Sequence, residues 1–186
     1  MLRRPRGWQA PRPHPARLHA GRPPCRSGID RMSLTIKPGL LDHPQTQALL
    51  ATHLENARSI SPACSIHALD DSGLRQPAIK FFTAWQGDTL VGFGAIKDLG
   101  ENHGEIKSMH VAKTHRGQGL ADTILKFLMT QARDHGLTQL SLETGSQEGF
   151  APARALYAKH GFKECAPFAD YTDDPNSFYM TRALSA

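Results

Sequence analysis

The chain has 186 residues, 39% of them hydrophobic, which suits one ordinary domain and is short for two. A formal charge of +5 would point to nucleic acid or anionic membranes, but residues 1–31 alone carry +7, eight arginines against Asp30, and residues 32–186 are left at −2. No run approaches the roughly 18 apolar residues of a membrane span, no apolar signal segment opens the chain, and Cys25, Cys64 and Cys165 are too few and scattered for a disulfide framework or zinc site.

A cytoplasmic protein with no metal, membrane or nucleic-acid partner is therefore expected. Residues 1–31 also hold six of the thirteen prolines and show no apolar periodicity. They are expected to be disordered, as a basic leader or a non-native extension ahead of a natural start at Met32. The prolines at 11, 13, 15, 23 and 24 argue against the amphipathic helix of a transit peptide. The folded domain is then 32–186.

In chain order, Leu34–Lys37 reads as a short strand closed by Pro38-Gly39, followed by a helix capped by Asp42 and running from His43 to Arg58 with Leu49, Leu50 and Leu54 on one face. Residues 59–78, with Pro62, Gly73 and Pro77, give no more than a helical turn and loop. Two β-rich runs between Ile79 and Lys97 flank Gly87-Asp88 as a hairpin. A strand from Glu105 to Val111 leads into His115-Arg116-Gly117-Gln118-Gly119. Leu120, Ala121, Ile124, Leu125, Leu128, Met129 and Ala132 then form a helical apolar stripe that stops at Gly136. A strand at Leu140–Thr144, a helix from Pro152 to Gly161, and strands at Phe162–Phe168 and Ser177–Arg182 complete the pattern. The fold class is α/β, a mixed sheet with helices on its faces.

The Gly-rich turn between strand and helix is a device for holding phosphate. The first N–H groups of the helix lack intrahelical partners, the helix dipole favours an anion there, and Gly117 and Gly119 let backbone approach a ligand. Taken alone, the turn is equally compatible with a plain connection. Neither a P-loop nor a dinucleotide fingerprint is present.

Arg116, Gly119 and Ala121 match the Gln/Arg-x-x-Gly-x-Gly/Ala signature of the GNAT superfamily of acyl-CoA-dependent N-acetyltransferases, and Ala153, Leu156, Tyr157, Gly161 and Phe162 match its Ala-x-x-Leu-Tyr-x-x-x-Gly-Phe segment. The chain resembles this superfamily from about Leu34 to Leu184. The stretches Glu105–Met109, Leu142–Gly145 and Pro167–Met180 further resemble a bacterial subgroup of small-molecule and amino-acid acetyltransferases. Family members commonly place Asn where this chain has Phe150, so either Ser146 or Gln147 replaces that contact or coenzyme binding relies more on the phosphate turn.

The resemblance implies a central, mostly antiparallel sheet of about seven strands, splayed between the fourth and fifth and flanked by about four helices. It implies acetyl-CoA as co-substrate, held by Arg116, Gly117, Gln118, Gly119, Leu120 and Ala121 at the phosphates and by the backbone of Met109, His110 and Val111 along the thioester arm. It makes Tyr157 the acid that serves the departing thiolate and Glu105 the general base, with Glu143, His110 and Tyr171 as lesser candidates. Glu105 is equally readable as the ion-pair partner of Lys107, and Tyr157 as a packed tyrosine. Direct attack by a small primary amine, amino-acid-like, is the expected reaction, and a homodimer is compatible with it. A protein N-terminal or lysine acetyltransferase and a catalytically inactive acyl-CoA-binding module are the competing readings.

Overall fold

The computed structural model describes residues 33–62, 65 and 67–184. The basic leader, Met32, Cys25 and Cys64 lie outside the described residues. The elements are β1 (Leu34–Pro38), α1 (Pro44–Ile60), α2 (Asp71–Leu74), β2 (Ile79–Gln86), β3 (Thr89–Gly100), β4 (His103–Val111), α3 (Leu120–Asp134), β5 (Gln139–Gly145), α4 (Ala151–Lys159), β6 (Lys163–Glu164) and β7 (Ser177–Ala183). One seven-stranded sheet runs β1-β2-β3-β4-β5-β7-β6, and only its β4–β5 pair is parallel.

Two local expectations are corrected. His43 rather than Asp42 caps α1, its Nδ1 accepting from Gln45 N at 3.2 Å, while Asp42 pairs with Arg75 at 2.6 Å. The helical turn expected between residues 59 and 78 is present as α2, where the Asp70 carboxylate accepts from Gly73 N at 2.8 Å. The strand expected over Phe162–Phe168 shrinks to Lys163–Glu164: it lies at the sheet edge, both residues are exposed, and Pro167 has no N–H to extend the ladder.

The helices cover both faces. α3 buries Ile124, Leu125, Leu128, Met129 and Ala132 against Ile96, Ile106, Leu140 and Leu142 of the sheet. It comes close because β3 presents Gly92 and Gly94 beneath it; a Cβ at Gly94 would stand 2.8 Å from Leu128 Cδ1. On the other face, Leu41, Leu50 and Leu74 pack on Phe81, Phe93 and Ala95. Among the described residues, no helix is long and apolar enough to cross a membrane.

Leu125 is fully buried under α3, so Leu125→Ala should lower unfolding free energy by roughly 3 kcal/mol or more through lost transfer energy and the cavity left behind. Urea denaturation gives the value directly. A loss below about 1 kcal/mol would mean that the α3 face does not anchor the sheet.

Candidate active site

The parallel pairing of β4 with β5 lasts four residues, His103–Ile106 against Gln139–Leu142. Beyond it β4 continues to Val111 and β5 to Gly145 without pairing to each other, so the sheet opens between them. A bulge marks the same stretch. Ala95 pairs with Lys107 and Phe93 with His110, which sets Ser108 and Met109 opposite Gly94 alone and holds Ser108 at φ 49°.

β4 ends at the phosphate turn. Gly117 and Gly119 have φ 78° and 77°, the left-handed region that glycine adopts without strain, and Gly119 is the N-cap of α3. A Cβ at either would meet no protein atom within 4 Å, so the space above the turn is open to a ligand. The N–H groups at the start of α3 have no partner within the helix, which suits an anionic phosphate. Arg116 Nε donates to Val111 O at 3.2 Å and ties the turn to the end of β4. Leu120 is buried, so it offers a ligand main chain only. Asp122, in the first turn of α3, meets Lys126 (2.6 Å), Lys159 (2.7 Å) and His160 (2.8 Å), which joins the start of α3 to the end of α4 and holds its carboxyl well below the usual range.

Strand alternation sorts the other candidates by face. Met109 lies on the α3 side, next to the position a Gly94 side chain would take. His110 lies on the α1 side, stacked on Phe93, with its Nδ1 3.3 Å from Nδ1 of His53. That contact requires complementary tautomers, and burial lowers His53 to about 4 and His110 to about 3, so both rings are neutral at pH 7. Ser146 Oγ donates to Pro175 O and Gln147 Nε2 to Asn176, so both side chains fasten the loop after β5 to the one before β7. Phe150 packs on the bare backbone of Gly145.

Glu105 is 1% exposed and is not solvated. Its Oε1 accepts from the Tyr171 hydroxyl at 2.6 Å and pairs with Lys107 Nζ at 3.2 Å, and Lys107 donates to the Tyr171 oxygen at 2.6 Å. Sequence reasoning offered the Lys107 pairing as the alternative to the base role. It named Tyr171 as a lesser candidate but gave no reason to join it to Glu105, 66 positions away. Glu105 and Tyr171 border an open cleft of about 290 Å³ that is also lined by His67, Lys97, Asp170 and Asp174.

Glu143 stands one residue past the last β4-paired position of β5, with Ser177 Oγ donating to it at 2.8 Å. Burial raises its carboxyl above the usual range. Tyr157 is on the opposite face, in the α3 core beside Phe162 and 7% exposed. Burial, and then the field of Glu143, push its phenol above the ordinary value of about 10. Among the described residues, no group of three or more His, Cys, Asp or Glu is placed to hold a metal ion.

Burial raises all three tyrosines, Tyr157, Tyr171 and Tyr179. Each phenol keeps its proton in the folded chain after the unfolded chain has lost it, so their contribution to stability is complete below pH about 10 and declines as pH rises beyond it. Phenolate absorbance should accordingly appear together with unfolding. A reversible titration near pH 10 in the folded protein would contradict the burial.

The chain matches the Acetyltransferase (GNAT) family over residues 46–162. It is 46% identical over 150 residues to the uncharacterized N-acetyltransferase YedL of Escherichia coli K12, covering 81% of this chain and 94% of that protein. It is 41% identical over 124 residues to the IAA acetyltransferase of Azospirillum brasilense, covering 66% and 80%. A Klebsiella pneumoniae structure assigned as an acyl-CoA N-acyltransferase superposes with a TM-score of 0.67 at 28% identity, covering 83% of this chain and all of that one. The chain belongs to the GNAT acetyltransferase family and is an acyltransferase that takes its acetyl group from acetyl-CoA.

Proposed function

We propose that the protein acetylates the primary amine of a small, amino-acid-like molecule by direct attack within a ternary complex. The observation that carries this reading is the cleft beside Glu105. Its volume of about 290 Å³ suits a small molecule, and its lining mixes Lys97 and His67 with Asp170 and Asp174, charges of both signs that complement a zwitterion. An α-amino group, with a reference pKa near 8, is about one-tenth deprotonated at neutral pH, whereas a lysine side chain is far less available.

Acetyl-CoA supplies the acetyl thioester. In this reading Arg116 to Ala121 hold the pyrophosphate, and the main chain of Met109, His110 and Val111, left without a β5 partner, donates hydrogen bonds along the thioester arm. Glu105 accepts the proton that the amine gives up. Tyr157 remains a phenol at working pH, so its part is a hydrogen bond to the departing thiolate rather than a standing phenolate.

Free-thiol release with a panel of amino acids, their amides, a polyamine and a lysine-containing peptide tests the acceptor. Amino acids should be turned over fastest, and silence towards every amine would overturn the proposal. Tyr157→Phe should keep coenzyme affinity within a few-fold while turnover falls roughly 10²-fold, and Glu105→Gln should be slow at neutral pH and recover as pH approaches the amine's own pKa. Parental rates in either variant would remove that residue from its role.

The turn itself is tested by Gly119→Val, which forces a β-branched residue to φ 77° and fills the open space above the backbone. Acetyl-CoA affinity measured by calorimetry should weaken at least about tenfold, some 1.4 kcal/mol. Unchanged affinity in the folded variant would place the phosphates elsewhere.

A further inference from the structure

The hydrogen-bond directions around Tyr171 are fixed by chemistry. Lys107 Nζ is an ammonium with donors and no lone pair, so at 2.6 Å it must donate to the Tyr171 oxygen. The phenol's single hydrogen is then directed to Glu105 Oε1, also at 2.6 Å. One lone pair of the phenol oxygen is left over.

Access is unequal. Both side chains line the cleft, but that of Glu105 is 2% exposed and its Oε1 already serves both Tyr171 and Lys107, whereas Tyr171 is half-buried. A molecule in the cleft therefore meets the phenol oxygen as an acceptor that is bonded in turn to the buried carboxylate.

We propose that Tyr171 is a catalytic residue that receives the acceptor amine's proton and passes its own to Glu105. This rests on the reading of Glu105 as the terminal base. In the step, the free amine attacks the thioester carbonyl, and an N–H bond of the nitrogen made cationic by that attack breaks as an O–H bond forms on Tyr171, while the original Tyr171 O–H bond breaks and a new one forms on Glu105. Tyr171 begins and ends as a neutral phenol, Glu105 ends as a neutral acid, and no electrons are exchanged. Burial and the neighbouring Glu105 carboxylate hold the Tyr171 phenol well above its ordinary range, which is consistent with a concerted hand-over and disfavours a free phenolate base. Other titratable groups around it are Lys107 on β4, Glu143 on β5, Tyr179 on β7 and His67, whose ring centroid is 5.0 Å from that of Tyr171.

The test compares the parent, Tyr171→Phe, Glu105→Gln and the double variant, using acetyl-CoA and whichever panel amine the parent turns over fastest. Tyr171→Phe should lower kcat/KM about 10–100-fold at neutral pH, leave the KM for acetyl-CoA unchanged, and recover as pH rises towards the amine's pKa; a merely structural defect would depress the rate at every pH. If the two groups act in series, the double variant should be no slower than the slower single variant. Multiplying effects, or a parental rate for Tyr171→Phe beside a slow Glu105→Gln, would overturn the relay and leave the base reading standing. A parental Glu105→Gln, or a parent silent towards every amine, would overturn both. Should Tyr171→Phe fail to fold, kcat/KM of the parent in mixed H2O and D2O keeps the question open to refutation: two protons in flight give a bowed dependence on deuterium fraction, and a straight line would overturn the relay.

Discussion

The sheet is held together across β4 and β5 by a parallel ladder of only four residues, and the remainder of the site depends on where that ladder stops. Were the pairing to continue, the N–H and C=O groups of Lys107–Val111 would be used within the sheet and no gap would exist. The bulge at Ser108 and Met109 turns β4 at the point where it loses its β5 partner. The chain then passes through the glycine turn and enters α3, so one short stretch carries the open strand edge and the helix N-terminus in succession. Gly92 and Gly94 complete the arrangement by letting α3 settle closely on β3.

Burial of Glu105 and Lys107 is not readily explained as a stabilising device. Desolvating two charges costs several kcal/mol per ion before their attraction and hydrogen bonds return it, and apolar residues of similar volume often do as well or better. Here the cost is offset by a closed triangle in which the Tyr171 hydroxyl donates to the acid and accepts from the base. His53 and His110 stay neutral because burial disfavours their cationic forms. Glu143 is raised by burial and held by Ser177.

Tyr157 and Glu105 occupy opposite faces of the sheet, one in the apolar α3 core and one in the polar cleft. An intact sheet would isolate them. The parting of β4 and β5 gives the two faces a common boundary, and Glu143 lies along it, its charge raising the Tyr157 phenol while Lys107 and Glu105 act on Glu143 in turn. The proposed separation of roles has a physical basis: a leaving-group donor is best kept protonated in apolar surroundings, and a proton acceptor needs polar neighbours.

Much of the fold was legible in the sequence because its signals are local. The apolar stripe of α3, the Gly87-Asp88 hairpin, the left-handed glycine at 136, and the alternation of β5 each depend on residues within a turn or two of one another. Local signals also fell short where two neighbours competed, as at the α1 cap, where Asp42 was taken by Arg75 from 33 positions away and His43 served instead. Tertiary structure alone brought Tyr171 onto Glu105, set Ser177 on Glu143 and paired His53 with His110. These contacts join groups from 34 to 66 residues apart, which no periodicity encodes; they exist because the assembled sheet and its connections bring distant side chains together. By itself the sequence determined the elements, the phosphate turn and the family resemblance, since each is written in short-range spacing. The packing determined which groups share a proton, because that depends on distances that only the assembled sheet establishes.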